Sequence, residues 1–93
     1  MTSERTRLTR IYRQFSGAKL KAAREAIGVS RNRLAPWVGC TVMSIYNWET
    51  GRKVPSAQYL DALAANLRVK VDEFYDVQEG MVRTEDAKSP KRR

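Results

Sequence analysis

The chain has 93 residues, 42% apolar and 30% charged, and its 18 Lys and Arg against 10 Asp and Glu give a formal net charge of +8. This is one small domain, too short to enclose a deep cavity between lobes, and with no His and a single cysteine, Cys40, it excludes the usual zinc-ligand sets and any intramolecular disulfide. No run of ten apolar residues exists and the segment Met1 to Arg5 lacks the apolar core of a signal peptide, so the reading is of a cytoplasmic protein with no membrane span.

Residues 1–15 set Arg5, Arg7, Arg10 and Arg13 against Glu4 alone. Within them Leu8, Ile11, Tyr12 and Phe15 fall at i, i+3, i+4 and i+7, which predicts either an amphipathic helix begun near Ser3 or a basic arm that orders on binding. From residue 16 the chain reads as short helices with clear punctuation and no strand alternation. Ser16 caps a first helix with Leu20, Ala23 and Ile27 on one face, and Gly28 stops it. Ser30 caps a second that carries Leu34, Ala35 and Val38 and ends at Gly39. Thr41 caps a third, with Val42, Ile45, Tyr46 and Trp48 at helical spacing before Gly51. Pro55-Ser56 opens a fourth, striped by Tyr59, Leu60, Leu63, Ala64 and Leu67, and a last turn from Val71 to Tyr75 closes the core. The expected fold is all-α, a bundle of about five short helices over residues 16–76. Residues 77–93, ending Lys88-Ser89-Pro90-Lys91-Arg92-Arg93, are expected to form a disordered basic tail. The basic excess is spread over arm and domain, which points to a polyanionic partner without choosing among DNA, RNA and a membrane surface.

The segment Arg31 to Thr50 is the most informative. Leu34, Ala35, Val38, Cys40, Ile45 and Trp48 supply the inward positions of two helices joined by a tight turn, Ala35 is small where they cross, and Gly39 stands where a left-handed backbone is easiest. With Leu20-Lys-Ala-Ala-Arg24-Glu-Ala-Ile-Gly28 before it, and Ile45-Tyr-Asn-Trp48-Glu49-Thr-Gly51-Arg52-Lys53-Val-Pro55, Leu63-Ala64 and Leu67 after, the chain resembles the lambda-repressor-like helix-turn-helix domains of the Cro and XRE type over residues 17–75. The resemblance implies a structural ion pair between Arg24 and Glu49, and a third helix that enters the major groove of DNA, where each base pair shows a distinct pattern of donors, acceptors and methyl groups.

On that footing the candidate base contacts are Val42, Met43, Tyr46, Asn47 and Thr50, a face with no charge. Asn47 can bond adenine, and Val42 and Met43 can pack on thymine methyl groups. The candidate phosphate contacts are Arg31, Thr41, Ser44, Arg52 and Lys53, which border the groove. Three positions depart from the family pattern: Pro36 lies inside the second helix and should kink or shorten it, turning Trp37 outward, where it would pack on Tyr12 or Phe15 or meet a partner; Arg68 stands where relatives carry a glycine stop; and Lys70 replaces a polar cap. The implied function is that of a DNA-binding transcriptional regulator, a repressor binding operator DNA as a homodimer and needing no cofactor, in the cytoplasm and nucleoid of a bacterium or phage host. The alternative is a protein-interaction module with secondary DNA binding, such as an antitoxin or bridging coactivator, using Trp37 and the N-terminal arm. An enzyme has no support: there is no His, no nucleophile with a base, and no phosphate-cradling loop.

Overall fold

The computed structural model describes residues 9–81, with side-chain detail over residues 13–77. The elements are strand β1 (Thr9–Phe15), helices α1 (Gly17–Ala26), α2 (Arg31–Val38), α3 (Val42–Glu49) and α4 (Ala57–Leu67), a 3₁₀ turn (Val71–Phe74), and strand β2 (Tyr75–Met81). The fold is the expected helical one, with four α-helices and a 3₁₀ turn rather than five helices, and with a two-stranded sheet of β1 and β2 added. Phe15–Asp76 forms one compact unit, and the outer parts of the two strands belong to a second.

The caps act as the sequence indicates. The Ser16 hydroxyl accepts from Lys19 N at 3.2 Å, that of Ser30 from Arg33 N at 3.1 Å, and that of Thr41 from Ser44 N at 3.0 Å, each satisfying an amide that a helix start leaves without a partner. Gly39, at φ +84°, ends α2 while its amide and that of Cys40 both return to Ala35 O, so three residues suffice to turn the chain into α3. Helix α2 runs through Pro36. The ring removes only the donor to Asn32 O, two residues before the end of an eight-residue helix, and the Ala35 carbonyl closes what remains.

Leu20, Leu34, Ala35, Val38, Ile45, Trp48, Leu60, Leu63, Ala64, Leu67 and Phe74 form a single core, in which each large apolar side chain contributes roughly 1.5–3 kcal/mol. Ile27 is not part of it. It is the exposed C-cap of α1, and the buried positions of that helix are Leu20 and Arg24.

Two further expectations change. The spacing of Leu8, Ile11, Tyr12 and Phe15 suggests a helix, but residues 9–15 are strand β1, a state that the β-branched and aromatic Thr9, Ile11, Tyr12 and Phe15 favour once a partner strand exists. That partner is β2, so Val77 to Met81, expected to be disordered, are paired strand. At the base of the ribbon the Phe15 and Tyr75 rings meet edge to face at 6.1 Å, and Ser16 N donates to Phe74 O at 2.7 Å. Residues 1–8 and 82–93, with the rest of the expected arm and tail, lie outside the described residues.

Candidate nucleic-acid interface

Helix α3 has two unlike sides because its caps and the Gly39 turn hold it against α1 and α2. Ile45, Trp48 and Glu49 are buried, whereas Val42, Met43 and Tyr46 are exposed, Met43 most of all at 63%. Asn47 and Ser44 sit half-buried at the border, and Thr41 and Thr50 are exposed at the two ends. The five residues expected to touch bases therefore share one side of one helix end to end, and none is charged.

Hydrogen bonds already use some of their capacity. The Thr50 hydroxyl donates to Tyr46 O at 2.8 Å, so it is left mainly as an acceptor, and the Thr41 hydroxyl donates to Ser44 Oγ at 3.0 Å. The Asn47 side chain has no hydrogen-bond partner among the described residues. Its backbone carbonyl accepts from both Arg52 N at 2.9 Å and Lys53 N at 3.2 Å, which folds the loop after α3 back on the helix and leaves the two basic side chains exposed beside it.

Behind this face lies a buried cluster. Glu49, whose side chain is 1% exposed, accepts from Arg24 Nε at 2.6 Å and Arg24 Nη2 at 3.1 Å, and Arg24 Nη1 reaches Val29 O at 2.8 Å. The hydrogen bond to Glu49, followed by the charges of Glu49 and Glu25, outweighs burial and holds the Arg24 guanidinium above its ordinary pKa. Arg31 is tied to the same carboxylate, Nε to Oε1 at 2.8 Å, and its guanidinium lies over the Tyr46 ring at 5.4 Å. By sequence Arg31 falls among the surface clamps, and nothing local signals this attachment, which needs the start of α2 to lie beside the end of α3.

Gly17 was also missed. A Cβ there would sit 2.3 Å from Trp48 O and 2.5 Å from Glu49 O, so the first turn of α1 can approach the last turn of α3 only without a side chain. Nothing in a lone glycine at a helix start signals that contact. Trp37 is 46% exposed, as the proline beside it suggests, but the Phe15 ring meets Tyr75 and not Trp37. In the turn, partial burial pushes the Cys40 thiol up, which keeps it protonated at neutral pH.

A family model described as a helix-turn-helix domain matches residues 17–75. The chain belongs to that family. Among solved structures this helix-turn-helix protein is similar to the P22 c2 repressor bound to a synthetic operator, at 26% identity and a TM-score of 0.62, covering 66% of this chain and 92% of that one. It is similar as well to the restriction-modification controller protein C.AhdI of Aeromonas hydrophila, at 28% identity and TM-score 0.60 over 62% and 88% of the two chains. SinR, a master regulator of biofilm formation solved with DNA, matches at 29% identity and TM-score 0.58 over 61% and 95%. Comparison with curated proteins yields no match. The helix-turn-helix protein is thus of the Cro and XRE, lambda-repressor-like kind, a class of DNA-binding regulators. Among its described residues no helix is long and apolar enough to cross a membrane.

Proposed function

We propose that this protein is a sequence-specific transcriptional repressor that occupies operator DNA as a homodimer, with α3 of each copy in a major groove. The observation that carries the reading is the uncharged, exposed face of α3 set on a buried and tightly bonded opposite face. Val42 and Met43 meet thymine methyl groups, Asn47 bonds adenine, and Tyr46 and Thr50 complete the readout. Arg52 and Lys53, with the Thr41 and Ser44 hydroxyls at the start of α3, grip phosphates. The similar P22 c2 repressor and SinR, each solved with DNA, support this assignment. Two copies are invoked because one helix reads only a few base pairs, and paired half-sites multiply the selectivity.

Selection of a preferred duplex from a random pool, followed by binding titrations in a salt series, tests the proposal. Asn47→Ala and Met43→Ala should each weaken the selected site by about 1–3 kcal/mol while leaving random DNA nearly unaffected. Lys53→Ala should weaken both and lower the salt slope by about 1. Equal losses on selected and random DNA in the α3 variants would remove that helix from base reading.

A further inference from the structure

Most of the ribbon lies outside residues 17–75, the part shared with the helix-turn-helix family: all of β1 and, past Tyr75, all of β2. Because β1 ends at Phe15 beside the Tyr75 that begins β2, the two strands run antiparallel. The bond from Ser16 N to Phe74 O fixes the register. Backbone groups alternate sides along a strand, so even-numbered residues turn their N–H and C=O groups toward the other strand and odd-numbered ones turn them to the outer edges. The two outer edges differ. On β2, Lys19 Nζ donates to Tyr75 O at 3.0 Å and pairs with Asp76 Oδ1 at 2.9 Å, so a charged side chain from α1 sits on that edge where it leaves the body. On the other side, β1 has β2 as its one strand neighbour among the described residues. It holds no Gly or Pro and four strand-favouring residues, Thr9, Ile11, Tyr12 and Phe15, whereas β2 contains Gly80. Two strands alone are marginally stable in water, and three or more are needed for a sheet to stand by itself.

We propose that the outer edge of β1 is the surface on which two copies of this chain meet. There β1 pairs with β1 of a second copy, antiparallel about a two-fold axis near Ile11, and makes a four-stranded sheet in the order β2–β1–β1–β2. This surface rests on the two-copy reading above and gives it a place outside the shared helical body. A two-fold contact must be self-complementary, and β1 meets that condition. Ile11 N donates to Ile11 O of the second copy, and symmetry returns the same bond. Arg10 then stands opposite Tyr12 and Arg13 opposite Thr9, so no arginine faces an arginine. Pairing β1 of one copy with β2 of the next would set arginines against Asp76 and Glu79, but Lys19 takes the start of that edge, and head-to-tail pairing of this kind leaves an edge open.

The test is sedimentation equilibrium of the full chain without DNA, the folded state of each variant being checked by thermal melting. The wild type should be a concentration-dependent dimer. Ile11→Pro removes an outward N–H from β1 of each copy, a change that an edge strand accepts. It should weaken the dimer about tenfold or more, because two bonds worth roughly threefold to tenfold each are lost. Val77→Pro removes an outward N–H from β2 instead and should leave the dimer within about twofold of wild type. Amide hydrogen exchange, which needs no substitution, should slow at Ile11 as protein concentration rises and stay constant at Val77. A free wild type that stays monomeric up to about 1 mM would overturn the surface. If it is a monomer on the selected duplex as well, the two-copy reading falls with it. A dimer that persists in folded Ile11→Pro, or an Ile11 amide whose exchange ignores concentration, would overturn the surface alone, with the two copies meeting elsewhere. Weakening by Val77→Pro in place of Ile11→Pro would move the contact to β2, and growth past the dimer would replace the two-fold pairing with a head-to-tail one.

Discussion

Where α1 meets α3 the chain has no slack: Gly17 lies against the carbonyls of Trp48 and Glu49, and the Glu49 carboxylate is held by three donors from two arginines. Where α4 gives way to the 3₁₀ turn, fit is looser. Arg68 takes a left-handed conformation at φ +61°, one that a glycine would adopt without steric cost, and Lys70 stands at the next N-cap with no side-chain bond. The first junction aims α3; the second only returns the chain to the ribbon. The difference teaches that local ideality tracks how directly a junction sets the orientation of α3.

The contrast can be broken at its tight end first. Gly17→Ala should cost about 3 kcal/mol, because the new methyl meets backbone carbonyls that cannot rotate away, and differential scanning calorimetry should show a melting temperature lower by more than about 10 °C. A change confined to a degree or two would mean that α1 can shift freely against α3. Arg24→Met should cost nearly as much, about 2–3 kcal/mol, below the usual range for a broken buried pair because Arg31 still holds Oε1 of Glu49. Adding Glu49→Leu should recover at least half of that loss in urea unfolding; failure to recover would show that the pair matters for shape and not only for charge.

The loose end should respond in the opposite direction. Arg68→Gly removes a left-handed penalty of about 1–2 kcal/mol and adds unfolded-state freedom worth about 0.5–1, a net gain of roughly 0.5–1 kcal/mol visible as a higher melting temperature. Lys70→Ser should give the smallest effect, a gain of about 0.5 kcal/mol, since a short turn gains little from a cap. Loss of stability in both would mean that the exit from α4 is as finely fitted as the α1–α3 junction.

Much of the helical body was legible because it is written locally. Ser16, Ser30, Thr41 and Gly39 act within three or four residues of themselves, and Leu34, Ala35, Ile45 and Trp48 follow the helical period, so composition and spacing suffice. The ribbon was not legible, since β1 and β2 lie some sixty residues apart and neither shows its partner; Leu8, Ile11, Tyr12 and Phe15 taken alone match a helix. Ile27 was misplaced because a residue at the end of a helix leaves the buried stripe as the chain turns, and Arg24 occupies the inward position instead. The exposed face of α3 could be anticipated residue by residue, whereas the attachment of Arg31 to Glu49 required knowing how α2 and α3 cross.

The two bonds that the amides of Arg52 and Lys53 donate to Asn47 O use backbone atoms only. The loop geometry after α3 therefore places no demand on which side chains stand at positions 47, 52 and 53, and the exposed Val42 and Met43 lie outside the core. Substitutions at these positions can accordingly change the outward side of this helix without refolding the body beneath it.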